Sequence, residues 1–341
     1  MKQRWRTRAH LTAAVLALGA GLSSTPLPSA SACMSMRASS SLHAPSLAVE
    51  EVLIVYDPAS KTEHFVRQAV FRGDETPFGF IVPTPTRATV EPAPHVRFEV
   101  LERLFPFDRE TSAPEQSADG RLGGPGGVSV LEKKRVGSFT AFVLAATDHD
   151  ALSKWVKDNG LASDADTDAW LAHYVRAGFH FVALRYEPPK KKSEQSSVLR
   201  AETIRISFQT PAPYYPYLEP AREADGDRVL ALWLVSTTPL VPVALERHGD
   251  TSAWVRPFAE GPSYGADVDG RLRRILSTDD GATLLPSDSV LVQTFEDQKR
   301  DRTGFGDVVF VPKTPRVLDE DAKTALAPLA AILDPALEAA P

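Results

Sequence analysis

Glu51-Val52-Leu53-Ile54-Val55-Tyr56, Asp57-Pro58-Ala59-Ser60 and Glu63-His64-Phe65-Val66-Arg67-Gln68-Ala69-Val70-Phe71 follow one another, and their reading decides the fold. The first run is short, apolar and rich in β-branched residues, and the four residues after it have turn chemistry. Arg72-Gly73-Asp74 ends the second run. Phe78-Gly79-Phe80-Ile81-Val82-Pro83 comes next and closes on Pro83-Thr84-Pro85. Runs of this length between turn residues read as three successive strands, hence an antiparallel meander. Pro83 and Pro85 cannot donate to a ladder, so pairing is expected to stop there or to continue only at an edge. Behind Pro92 and Pro94, the residues Phe98, Leu101, Leu104 and Phe105 keep helical spacing.

Strand, turn, strand, an aromatic-Gly-aromatic run ending in Val-Pro-x-Pro, and a short Phe-x-x-Leu helix resemble the bacterial family called domain of unknown function 2330. Val136-Gly137-Ser138-Phe139 and Leu152-x-x-Trp155 leading to Asn159-Gly160 carry the resemblance further. So do Tyr174-Val175 leading to Gly178-Phe179-x-Phe181, and Pro211-x-Pro213-Tyr214-Tyr215-Pro216. The likeness covers residues 33–250 and fades from Arg247 onward. The family is uncharacterised, so the resemblance implies a secreted or envelope protein and no activity.

The chain has 341 residues, enough for one large domain or two. Hydrophobic residues make up 43% and charged residues 24%, an ordinary globular balance that can bury a full core. A net charge of −6 argues against a nucleic-acid-binding surface. Lys2, Arg4, Arg6 and Arg8 form a basic leader, and residues 11–22 are apolar but too few to span a bilayer as a helix. Ala30-Ser31-Ala32 then offers an A-x-A cleavage pattern, so residues 1–32 read as an export signal cut between Ala32 and Cys33. Cys33 is the only cysteine, which excludes an intramolecular disulfide. As a first mature residue it also invites a diacylglyceryl anchor. Ala30, where lipoprotein signals usually carry Leu, favours ordinary cleavage. Relatives often have a second cysteine near this position; here the neighbours are Met34-Ser35-Met36.

Residues 111–127 are too rich in Gly, Ser and Pro to pack and read as a surface loop. Strands are expected over 128–131, 139–145, 179–186, 203–208, 229–235 and 240–245, and again at 254–255, 290–292 and 308–311. Asp148-His149-Asp150 and Asp166-Thr167-Asp168 offer caps to two helices that close at Gly160 and Gly178. Trp170, Leu171, Tyr174 and Val175 make an apolar stripe on the second. Asp319-Glu320-Asp321 begins a terminal helix through about Leu333. Its apolar run holds nine residues with Pro328 inside, too short for a membrane span. The expected fold is α+β: a mainly antiparallel β-sheet with a packed αα hairpin and a C-terminal helix. It comprises a signal peptide (1–32), a domain (33–315) and a helical tail (316–341). Ile54, Phe80, Val82, Trp155, Trp170, Phe181 and Phe208 are its expected core.

Gly261-Pro262-Ser263-Tyr264-Gly265 matches G-x-S-x-G, whose serine in hydrolases sits on a strained strand-to-helix elbow. Pro262 removes a donor before Ser263, and His248 is the last histidine, so a turn is the expected structure. Asp267-Val268-Asp269-Gly270 resembles part of a calcium loop. Gly265 and Leu276 stand where such a loop wants an acid and a bidentate Glu. Asp164, Asp166 and Asp168, like Asp279-Asp280, fit caps or Asx turns. His173, His180 and His248 show no metal-ligand spacing. The expectation is a non-enzymatic exported domain of the envelope or extracellular space, without cofactor, metal, nucleic-acid partner or mature membrane span. It binds an envelope or extracellular partner or has a structural role. The alternatives are a hydrolase centred on Ser263 and a calcium-stabilised module using Asp267 and Asp269.

Overall fold

The computed structural model describes residues 34–39, 46–72, 77–107, 129–186, 198–220, 228–248, 251–267, 270–278, 280–299, 302 and 304–312. In chain order the first elements are β1 (Met34–Arg37), β2 (Ser46–Asp57), β3 (Thr62–Arg72), β4 (Phe78–Thr84), β5 (Thr89–Pro92) and α1 (Phe98–Leu104). Next come β6 (Ser129–Val136), β7 (Phe139–Ala145), α2 (His149–Asp158), α3 (Ala165–Arg176) and β8 (His180–Tyr186). β9 (Val198–Arg200), β10 (Ile204–Gln209), β11 (Tyr214–Tyr215), β12 (Val229–Ser236) and β13 (Leu240–His248) follow. The last are β14 (Thr251–Val255), β15 (Ala259–Asp267), α4 (Gly270–Ile275), β16 (Ser289–Asp297) and β17 (Phe305–Pro312). The described residues are therefore mostly β-sheet with four short helices. None of these helices is long and apolar enough to cross a membrane. The export signal with Ala32 and Cys33, the Gly-rich loop and the terminal helix lie outside the described residues.

Three sheets form. One runs β1-β4-β8-β7-β6, the largest runs β15-β16-β12-β2-β3-β10-β5 with β9 beside β3, and the third runs β11-β17-β13-β14. β2 and β3 pair antiparallel over nearly their whole length. Asp57 makes their turn: its carboxylate accepts Ala59 N–H at 2.9 Å and Ser60 Oγ–H at 2.6 Å.

The meander stops there, because β4 does not pair with β3. It enters the five-stranded sheet and lies across the face of β3, where Phe78 meets Phe71 at 4.5 Å. Every residue of β4 is buried, so stacking hides surface that pairing alone would leave wet. The β1 ladder ends at Ile81, while β8 continues to Thr84. Pro83 thus has a neighbour on one side only, as its missing N–H requires. One parallel pair sits in the otherwise antiparallel sheets: β12 runs alongside β2 from Val229 to Val235.

The large sheet separates two cores. Val52 and Ile54 of β2 and Phe65 of β3 face the other two sheets, while Leu53, Val55 and Val66 face α1 and α4. This is the period-two alternation of strands. All seven expected core residues are buried. Helices α2 and α3 turn aromatics inward: Trp155 meets Phe142 at 5.2 Å, and Trp170 donates Nε1–H to Leu218 O at 2.8 Å. Asp148 caps α2 by accepting Ala151 N–H at 2.7 Å. The cap of α3 is Asp164, two residues before the expected one, accepting Thr167 N–H at 3.0 Å. Asp168 instead bonds Ser163 and stands 3.3 Å from Lys157 Nζ. An Ncap must have extended backbone, and Asp164 does, whereas Asp166 and Asp168 lie inside the helix.

Candidate functional site

Ser263 lies on β15, an edge strand, and not in the expected turn. Its side chain is exposed, and no hydrogen bond joins it to a histidine among the described residues. Pairing with β16 shifts register between Glu260 and Ser263, so the motif occupies a bulge, where a proline is tolerated. Its other residues have structural work. A Cβ at Gly261 would collide with Thr294 Oγ1. Tyr264 donates its hydroxyl to Pro106 O at 2.7 Å and packs on Phe105. Asp267 ends β15 opposite Ser289; its side chain, and Asp269, lie outside what the structure describes. His173 rests against Tyr174 on α3, and His180 is in β8. Among the described residues no three His, Cys, Asp or Glu side chains stand together as a metal site requires.

The densest polar chemistry is sealed between the sheets. Glu50 shares the inward face of β2 with Val52 and Ile54, and Glu63 and Arg67 share that of β3 with Phe65. Arg67 Nε donates to Glu50 Oε1 at 2.6 Å, and its guanidinium lies 4.4 Å over Phe80. Tyr215 donates to Glu50 Oε2 at 3.1 Å, with Arg228 Nη1 3.6 Å from the same oxygen. Arg228 also donates to Glu219 at 2.7 Å. Asp297 accepts Tyr217 Oη–H and Arg302 Nε–H, each at 3.0 Å. Asp307 accepts from Tyr174 at 2.9 Å, Tyr214 at 2.8 Å and Leu218 N–H at 2.8 Å. Glu63 Oε2 accepts Tyr214 N–H at 2.7 Å, while its Oε1 has no hydrogen-bond partner among the described residues.

Burial pushes the Glu63 carboxyl well above the usual range, against a single N–H that favours its charge. Burial also raises Asp307, to about 6, against the donors around it. Asp297 goes the other way: burial raises it, but Arg302 and its other donors more than compensate. A raised carboxyl contributes stability that is complete below its ordinary pKa and is lost as pH climbs through the raised one. Melting temperature is therefore expected to fall as pH climbs from about 4 through about 6 on account of Asp307, with Glu63 adding a loss in the same direction as pH rises above its ordinary value. Glu63→Gln, which is neutral throughout, is expected to lose less over the same interval. Parallel melting curves for the two proteins would contradict this. None of these core groups lines the two cavities described below.

The open site lies on the other face of the large sheet. Phe98, Leu101 and Phe105 of the α1 segment bury toward Trp233, whose indole N–H donates to Phe105 O at 3.0 Å. Arg97, the N-cap, and Val100, Arg103 and Leu104 of the helix form the adjoining flank, with Val100 and Leu104 still packed against that core. In α4, Leu272 and Ile275 bury while Arg271 and Arg274 stay exposed. These two faces bound a groove of ≈ 640 Å³ containing Arg97, Arg103, Arg271 and Arg274, with Val100, Leu104, Ile275 and Pro94 as its apolar part and His95 at its side. The Arg97 guanidinium makes no hydrogen bond or ion pair among the described residues. Arg103 and Arg274 spend only Nε, on the carbonyls of Glu99 and Gly270 one turn back. Among the described residues no carboxylate pairs with any of the three. Glu99 and Glu102, on the same helix, exert their charge on Glu51 of β2. A second cavity, ≈ 220 Å³, lies among Tyr56, Pro211, Pro213 and Pro312 and holds one cation, Lys61.

None of the four arginines stands out in the sequence. Arg97-x-x-Val100-x-x-Arg103 is a helical spacing that could have been noticed. Its counterpart in α4 lies far along the chain, and only the fold joins them. A family profile described as "uncharacterized protein conserved in bacteria (DUF2330)" matches residues 27–235. The match takes in α1 and ends before α4. No curated protein matches the chain.

Proposed function

The chain belongs to the DUF2330 family, whose description states no activity, and we propose that it is an exported, non-enzymatic binding domain that holds a phosphate-bearing anion between α1 and α4. The observation that carries this reading is the set of three guanidinium groups around one groove that have no carboxylate partner among the described residues. Planar guanidinium forks match phosphate oxygens in pairs, and an anion supplies the missing counter-charge. Absence of catalysis is inferred from the sealing of Glu63, Asp307, Tyr214 and Tyr217 in the core, away from both cavities. Export rests on the basic leader, the short apolar run and Ala30-Ser31-Ala32. The folded unit would run over 33–315, in the periplasm or outside the cell. Intact mass of protein from its native host reads the cleavage: retention of residues 1–32 refutes export, and added lipid mass moves the reading to an anchor at Cys33.

Titration calorimetry with inorganic pyrophosphate at low salt tests the groove. Binding is expected, weakening as salt screens the exposed arginines. Arg97→Gln combined with Arg274→Gln is expected to cost about tenfold per arginine. Affinity untouched by the double variant would remove the groove from the account. A serine-reactive fluorophosphonate is expected to leave the protein unlabelled; labelling abolished by Ser263→Ala would make a hydrolase the working reading.

A further inference from the structure

The groove is larger and less polar than a phosphate needs. Its ≈ 640 Å³ equals roughly twenty water volumes at about 30 Å³ each, several times what a phosphate group displaces. Both helices show the same pairing of charge with hydrocarbon. On α1, Val100 lies one turn from Arg97 and one turn from Arg103, with Leu104 beside it. On α4, Ile275 adjoins Arg274 and lies one turn from Arg271. The aliphatic part is wet as well as apolar: Val100 and Leu104 are only partly buried, although they pack against the core beneath. A purely polar phosphorylated ligand, such as a sugar phosphate, would leave this strip in contact with hydroxyl groups or water, and the apolar contribution to binding would be lost. A hydrocarbon chain attached to the phosphate would cover it.

We infer that the ligand is a single-chain amphiphile, a phosphate head group carrying an alkyl or acyl tail. The inference rests on the anion reading above. The head group takes the guanidinium forks of Arg97, Arg103 and Arg274, and the tail lies along Val100, Leu104 and Ile275. The step is binding alone, and no bond is made or broken. A concave groove of this size takes one chain, within the range of small-molecule sites. The adjacent α1 acids, Glu99 and Glu102, do not line the cavity.

The test is a chain-length series of monoalkyl phosphates, ethyl to octyl, kept below their micellar concentrations, with pyrophosphate as the tail-free arm. Affinity is expected to rise about fourfold for each added methylene while the tail still fits the groove. Leu104→Ser is expected to flatten that rise. Arg97→Gln with Arg274→Gln is expected to lower the whole series. Pyrophosphate binding with no gain along the series overturns the amphiphile and leaves the anion reading standing. Binding of neither pyrophosphate nor any alkyl phosphate overturns both. A rise that Leu104→Ser leaves as steep as before means that the tail adsorbs elsewhere, and it too overturns the inference.

Discussion

Replacing Glu50 by alanine is expected to lower the unfolding free energy by about 3–5 kcal/mol. Glu50 is fully buried and stands between two fully buried guanidinium groups, with Arg67 at 2.6 Å and Arg228 at 3.6 Å. Its removal leaves positive charge in a medium that cannot solvate it, and that desolvation, more than the lost attraction, sets the size of the effect. Arg228 retains Glu219, whereas Arg67 loses its 2.6 Å acceptor. The urea midpoint reads the change. A second variant separates the two contributions. Glu50→Met with Arg67→Met removes a charge of each sign and refills the space, and it is expected to recover most of the loss. Glu50→Ala with a midpoint near that of the parent would mean that water reaches the network and that it is not sealed.

Trp233→Ala is expected to cost a similar amount, about 3–5 kcal/mol. Trp233 is at the centre of the large sheet with 0% exposure. It packs on Phe98 at 5.7 Å and Phe107 at 4.6 Å, so it is the anchor of α1 as well as part of a strand. Truncation opens a cavity and frees the Phe105 carbonyl from its indole donor. Because Arg97 and Arg103 are placed by the docking of α1, pyrophosphate affinity should fall together with stability. Trp233→Phe keeps most of the packing and loses only the hydrogen bond, so it should fall between variant and parent on both measures. Full pyrophosphate affinity in a destabilised Trp233→Ala would show that α1 is held by other contacts.

The elements could be read from the chain more readily than their partners. β2, β3 and α1 follow from local pattern, as do the Asp57 turn and the Asp148 cap. The mate of β4 did not follow, because pairing beside β3 and stacking across it bury the same Phe78 and Phe80. β12 is apolar at nearly every position, so nothing in its alternation distinguishes a parallel from an antiparallel neighbour. Gly261-Pro262-Ser263 has turn composition and nevertheless sits in an edge strand, because a bulge accommodates what a regular ladder would reject. The buried acids were visible in principle. With Ile54 and Phe65 inward, strand parity sends Glu50, Glu63 and Arg67 inward too. The groove was not visible, since one of its walls is a six-residue helix whose arginines mean nothing until α1 is placed opposite.

A pyrophosphate titration followed by backbone amide chemical shifts reads the location of binding as well as its existence. With the anion in the groove, the largest shifts are expected in residues 94–104 and in Gly270–Ile275, saturating together with a single affinity and vanishing in Arg97→Gln/Arg274→Gln. Shifts clustered elsewhere, around Tyr56 and Pro213 for example, or no saturable shifts at all, would contradict it.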